Sequence, residues 1–310
     1  MIDSRMLEVM DGIALPVTTI TGAKPGPTLA LIAGNHGYEY PPILALQRLR
    51  GQIDETSLAG TVIMVHVANM PSFLGRTVYF SPLDGKNLNR VYPGKPDGTP
   101  SERIAFAVTK QVIERADYVL DLHCGDGNES LRPYVYQAVT ADERMNAEVA
   151  RLALAFGIDH ILIDRNRPTD PAASLYCSTT AITRGKPAIV IEAGQLGQTD
   201  DESVECVVAG VRGVMRELKM TADGPPPLTK PVYIEPSVVL TSPETGLIYP
   251  LVERDQKVEV NAPIARLTDF FGNEIAVVRT PIAGVVLYVV ATPPMVKGQP
   301  VGCVGTPRQP

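Results

Sequence analysis

Cysteine is scarce in this chain, and so is positive charge. Four cysteines (Cys124, Cys177, Cys206, Cys303) are scattered through 310 residues with no CxxC spacing. So few thiols in a chain this long make no disulfide framework, and a cysteine-based zinc site is equally unsupported. Reduced thiols in a cytoplasm are the expectation. Acids outnumber bases, 34 to 28, for a net charge of −6 and a pI near 5.3. That balance argues against a nucleic-acid partner, which requires a basic face. It leaves small anionic substrates open, because a local cationic pocket can sit in an acidic protein. Long apolar runs are missing too: nothing approaches the ~18 residues of a membrane helix. The N-terminal MIDSRMLEVMDG carries acids and no apolar core, so it is not read as a secretory signal.

What is present is an ordinary globular composition, 45% hydrophobic and 20% charged. At this length one large α/β domain plus a smaller module is expected. Apolar runs predict buried strands at TLALIAG (28–34), TVIMVHVAN (61–69), DYVLDLHCG (117–125) and PAIVIEAG (187–194). Between them, helical patterns run over 41–53, from Thr99 to about Arg115, over 141–157 and over 200–220. Thr99-Pro100-Ser101-Glu102 fits a capping box, and Gly157 is a helix stop. Alternating strands and helices imply βαβ units, hence an α/β fold with a mainly parallel twisted sheet flanked by helices.

The pattern then changes. Residues 1–222 form the α/β part, 223–231 a Pro-rich linker, and 232–310 a run of short β-like segments without a helix signal. This tail repeats itself weakly: SPETGLIY (242–249) matches TPIAGVVLY (280–288) in its Pro and Gly positions. Two similar halves suggest a small sandwich or barrel. The tail resembles a lipoyl/biotinyl-type module. Its turn near DFFGNE (269–274) has no lysine for a cofactor, so a lid or packing role is expected.

In open α/β sheets, ligands bind at the carboxyl ends of strands. The expected strand ends here carry His36 and Glu39, then Asn69 with Arg76 beyond it, then Asp121 and His123, then Glu192. Two imidazoles and one carboxylate, with a fourth position left for water, make a catalytic zinc pattern. His36 and Glu39 lie three apart, so one turn can aim both at one ion. Glu192 is the free carboxylate for a general base. Arg76 is a candidate oxyanion donor. Asn89 and Arg90, in DGKNLNRVYPG (84–94), offer an amide and a guanidinium fork for a substrate carboxylate. His66 and His160 read as structural.

The motifs GNHGYE, NLNRVYPG, DLHCG and IEAG, spread over 34–194, together resemble the succinylglutamate desuccinylase/aspartoacylase family, a branch of the zinc carboxypeptidase fold. Carried over by position, the resemblance implies one zinc ion per chain held by His36, Glu39 and His123. It implies Glu192 as general base, and Asn89 with Arg90 as carboxylate binders. Two positions depart from the family pattern. Asn87 stands where an Asp orients the first zinc histidine. The region 178–187 lacks an acyl-side arginine, with Arg184 displaced, so a neutral acyl group such as acetyl fits better than succinyl. Deacetylases of N-acetylated diamino acids share the layout. The expected function is a zinc-dependent deacylase cleaving the amide of a small, carboxylate-bearing N-acyl amino acid. A carboxypeptidase-type zinc peptidase and a non-catalytic metabolite-binding protein are the alternatives. Neither nucleic acid nor membrane is an expected partner, and self-association is left open.

Overall fold

The computed structural model describes residues 1–308, so the last two positions of the 232–310 segment lie outside the described residues. The chain opens with a hairpin of β1 (Ile2–Met10) and β2 (Ile13–Thr21), followed by β3 (Lys24–Ala33). Next come α1 (Tyr40–Gln52), β4 (Ala59–Val65), α2 (Met70–Gly75) and α3 (Pro100–Gln111). β5 (Tyr118–Gly125), β6 (Glu129–Leu131), β7 (Tyr134–Ala138), α4 (Glu143–Phe156) and β8 (His160–Asp164) follow. α5 (Cys177–Ile182), β9 (Ala188–Gln195) and α6 (Asp201–Glu217) precede the Pro-rich stretch, which carries neither helix nor strand. Beyond it run β10 (Val232–Thr241), β11 (Gly246–Pro250), β12 (Lys257–Val258) and β13 (Pro263–Thr268). β14 (Glu274–Arg279), β15 (Gly284–Val290), β16 (Pro294–Met295) and β17 (Pro300–Pro307) close the chain.

The four expected buried strands are β3, β4, β5 and β9, and they lie side by side in the order β4-β3-β5-β9 with parallel pairing. The sheet as a whole is mixed, which corrects the mainly parallel expectation. The β1–β2 hairpin adds to β4 antiparallel, β7 joins β9 antiparallel, and β7-β8-β10 is parallel again. β10 then pairs with β17, and β17 with β15, so one 13-stranded sheet runs on into the C-terminal segment. A separate 4-stranded sheet, β14-β13-β11-β16, covers that end. The hairpin and the β7–β8 pair escape a sequence pattern because β1 is exposed and β7–β8 carry Tyr, Gln, His and Asp among their apolar residues. The helix expected to reach Arg115 stops at Gln111, and a short 3-10 turn takes Ile113–Arg115.

Strand alternation sets the two faces. Leu29, Leu31 and Ala33 of β3 pack with α1, α4 and α6, while Ala30 and Ile32 pack toward α3 and α5. β5 and β9 follow the same period: Leu120 and Leu122 go to the first core, Val119 and Ala188 to the second. Asp121, His123 and Glu192 continue the second series, so they emerge together at the carboxyl ends of adjacent strands. Among the described residues no helix is long and apolar enough to cross a membrane. All four cysteines are free thiols.

Candidate functional site

The site grows out of the turn between β3 and α1. Gly34 takes φ +69, a left-handed angle that favours glycine. Its carbonyl accepts from the Asn69 N–H (2.8 Å), and Asn69 Nδ2 donates to the Asn35 carbonyl (3.1 Å). Gly37 admits no side chain, since a Cβ there would strike the Ser72 and Thr77 carbonyls. Glu39 then sits at the N-cap of α1, with Pro41 in the first turn. Its Oε2 accepts from the His36 backbone N–H (2.9 Å).

Glu39 Oε1 lies 2.8 Å from His36 Nδ1 and 2.6 Å from His123 Nδ1. The three side chains are buried, and one ligand atom from each lies within 4.8 Å of the others, a set that could hold a metal ion. The far nitrogens are engaged as metal-bound histidines require. His36 Nε2 faces Asn87 Oδ1 at 3.1 Å, and His123 Nε2 faces Asp121 Oδ1 at 2.9 Å. An Nε2–H donated outward leaves the Nδ1 lone pair of each ring aimed inward, so the donor set fits a divalent cation such as zinc. Burial works against charge here, yet the Glu39 carboxylate, joined at His123 by Asp121, more than offsets it and leaves both imidazoles above their ordinary range, His123 well above. Against the same burial cost, the two rings hold Glu39 well below the usual carboxylate range.

Glu192 is the register partner of His123 across β5–β9 and of Tyr134 across β9–β7. Burial raises its carboxyl well above the ordinary range; His123 pulls the other way, while Glu39 and Glu129 add to the rise. Two cavities meet at these groups, and His36, His123, Arg90, Tyr136 and Glu192 line both. The outer, of about 590 Å³, also reaches Asn89, Arg167, Tyr176 and Ser237. The inner, of about 320 Å³, reaches Glu39, Tyr79, Glu129, Tyr134 and Tyr288.

Six of the seven candidate residues from the sequence therefore gather in one place. Asn89 is buried; its Nδ2 stands 3.2 Å from His123 Nε2 and its Oδ1 accepts from the Cys177 N–H (2.8 Å). The Oδ1 end is thereby fixed, whereas Nδ2 is a donor like the Nε2–H that His123 gives to Asp121 and makes no hydrogen bond to that ring. Arg90 is exposed to the cavities, its guanidinium 4.7 Å from the Tyr176 ring centroid, where Arg167 stacks at 4.6 Å. Arg76 is not brought in. It caps α2 at φ 49, is exposed, and lines a different cleft with Tyr38, Tyr40 and Phe73. His66 bonds Thr18 (2.9 Å) and His160 pairs with Asp159 (3.1 Å), both structural.

The structure also brings in residues that sequence pattern did not single out. Tyr79 takes φ 61 and lies edge-on to His36, ring centroids 5.7 Å apart. Asp126, at φ 45, pins it by accepting from the Tyr79 N–H (3.2 Å) and from the Tyr38 N–H (3.1 Å). Glu129 lies on β6, a strand too short to give a periodic signal.

A mixed α/β sheet whose strand ends bring two histidines and a glutamate around one point, with a further glutamate alongside, is a fold with a buried donor set that could hold a metal ion. The chain belongs to the succinylglutamate desuccinylase/aspartoacylase family: the model of the "Succinylglutamate desuccinylase/Aspartoacylase catalytic domain" matches residues 25–218. It is 30% identical over 269 residues to the N-alpha-acetyl-L-2,4-diaminobutyric acid deacetylase of Halomonas elongata, covering 85% of this chain and 77% of that protein. It is 27% identical over 223 residues to the succinylglutamate desuccinylase of Pseudomonas paraeruginosa, covering 68% of this chain and 62% of that protein. Its fold is similar to the product-bound structure of the ectoine utilization protein EutE (DoeB) from Ruegeria pomeroyi. That likeness has a TM-score of 0.86 at 25% identity, over 98% of this chain and 95% of the other.

Proposed function

We propose that the chain is a zinc-dependent hydrolase that cleaves the amide bond of a small N-acyl amino acid. The observation that carries this reading is the convergence of His36, Glu39 and His123, with Glu192 opposite His123, at one cavity junction. His36, Glu39 and His123 would hold the ion, oriented by Asn87 and Asp121. Zinc held there supplies Lewis-acid polarisation of the amide carbonyl and of water. The Glu192 carboxylate takes a proton from the attacking water and returns it to the departing amine nitrogen, and its burial suits it to carry that proton between the two steps. Arg90, which has no carboxylate partner among the described residues, receives the substrate carboxylate, with Arg167 beside it on Tyr176.

A small neutral acyl group is favoured. Arg184, the nearest arginine to the family's acyl-side position, is committed elsewhere: its guanidinium donates to the Pro171 and Thr180 carbonyls and meets Glu114. The segment 232–310 acts as a cap in this reading, and Tyr288, Pro300 and Cys303 from it wall the cavities. A capped site disfavours the peptidase alternative.

The test is elemental analysis of the purified protein with an activity screen over N-acetyl, N-succinyl and N-formyl amino acids and a set of peptides. About one zinc per chain and turnover of N-acetyl amino acids are expected. Absence of bound metal together with peptide-only turnover would overturn the proposal.

A further inference from the structure

We propose that Glu129 sorts substrates by charge, receiving a protonated primary amine carried by the N-acyl amino acid. This rests on the deacylase reading above. Glu129 lines the inner cavity beside the metal-ligand set. Its Oε1 accepts from the Tyr79 hydroxyl at 2.5 Å, and no other donor reaches the carboxylate among the described residues. No lysine, arginine or histidine pairs with it among those residues either. Desolvating a lone carboxylate is costly, and a cation placed against it offsets that cost. Burial does raise the Glu129 carboxyl, to about 7.

The walls point to the same ligand. Tyr79, Phe80, Tyr134, Tyr136 and Tyr288 surround this cavity, and aromatic faces attract cations. In the outer cavity Arg165 and Arg167 pair with Glu235 and Asp164, while Arg90, stacked on Tyr176 without a carboxylate partner among the described residues, stands at the junction of the two cavities. A molecule at the junction thus meets the unpaired Arg90 guanidinium and, in the inner cavity, the Glu129 carboxylate. An acyl amino acid with an α-carboxylate and a second amine matches both. A doubly anionic one sets a carboxylate against Glu129.

The zinc-loaded protein is assayed with Nα-acetyl diamino acids, from diaminopropionate to lysine, against neutral acetyl amino acids of equal length. At least one cationic substrate is expected to exceed its neutral counterpart by about tenfold in kcat/KM, mainly through KM. Glu129→Gln should collapse that ratio, and Glu129→Asp, which keeps the charge, should retain its direction. No preference in the parent protein, or an equal loss for both substrates in Glu129→Gln, overturns the proposal. Should no acyl amino acid be turned over, the deacylase reading fails by itself, and calorimetry with free diamino acids still reads the subsite. Affinity that drops about tenfold in Glu129→Gln supports it; unchanged affinity overturns it.

Discussion

Replacing Glu192 by Gln exchanges one oxygen for an NH2 group and leaves the cavity its shape. The amide cannot accept the proton of an attacking water, so kcat should fall on the order of a thousandfold. Metal content should stay that of the parent, because Glu192 is not among the three ligands. Turnover within tenfold of the parent would remove Glu192 from the chemistry. Asn87 offers a subtler test. It accepts from His36 Nε2 without bringing charge, whereas Asp121 serves His123 with a carboxylate. Asn87→Asp should raise the basicity of His36 and tighten zinc by about tenfold, and Asp121→Asn should weaken it by a similar factor. Competition with a fluorescent chelator reads both; opposite signs would refute the supporting roles. Protons oppose the metal at the same atoms. Both imidazoles sit above their ordinary range in the metal-free protein, so each must shed a proton to bind. Zinc affinity should therefore fall as the pH drops through the raised range of the two imidazoles, with proton release visible as a buffer-dependent binding heat.

Helix α6 shows how an element is shaped by what it lies against. Gly210 and Gly213 stand one turn apart on the side facing α4; a Cβ on the first would strike the Phe156 ring, and one on the second the Ala155 carbonyl oxygen. Glycine costs a helix interior about 1 kcal/mol relative to alanine, so propensity alone favours Gly213→Ala. The carbonyl cannot swing aside as a side-chain tip could, and overpacking of this kind costs about 1–3 kcal/mol. Net destabilisation of about 1 kcal/mol is expected in urea melts, without change in kcat. A more stable variant would show that propensity wins. The same contrast decides what could be read in advance. β3, β4, β5 and β9 are buried on both faces, so their apolar runs announce themselves, and the motifs at their ends follow. The stretch between α2 and α3 announces nothing of the kind. Its turn chemistry is plain, but which side chain enters the cavity depends on left-handed angles at Arg76 and Tyr79. Arg76 turns out and Tyr79 turns in, and residue type alone favours the arginine. Glu129 was hidden for a related reason: its three-residue strand is defined by pairing with β15, more than 150 positions away.

At the scale of the whole molecule, composition changes at the Pro-rich stretch but hydrogen bonding does not stop there. β10 runs parallel to β8, with Val232, Tyr233 and Ile234 opposite His160, Ile161 and Leu162. β6 pairs with β15 through Leu131 and Tyr288. One buried cluster is shared between the two parts: Leu131, Tyr134 and Leu162 from one side, Ile234, Leu287, Tyr288 and Cys303 from the other. Removing either part would expose the other's half of that cluster, at roughly 1.5–3 kcal/mol for each large side chain. Interfaces that form a continuous sheet and share a core couple unfolding, unlike the polar contacts common between loosely joined domains. A single calorimetric transition is therefore expected, with equal van't Hoff and calorimetric enthalpies, and with loss of activity coincident with loss of far-UV signal. Two resolved transitions would show that the C-terminal segment folds apart from the sheet it extends. The prediction bears on catalysis as well, since Tyr288 and Tyr134 meet in that cluster and both line the inner cavity. A substitution that opens the cluster, such as Leu287→Ala, should lower stability by about 2–5 kcal/mol. It should also raise KM, because the wall that holds the substrate is built on the seam between the two parts.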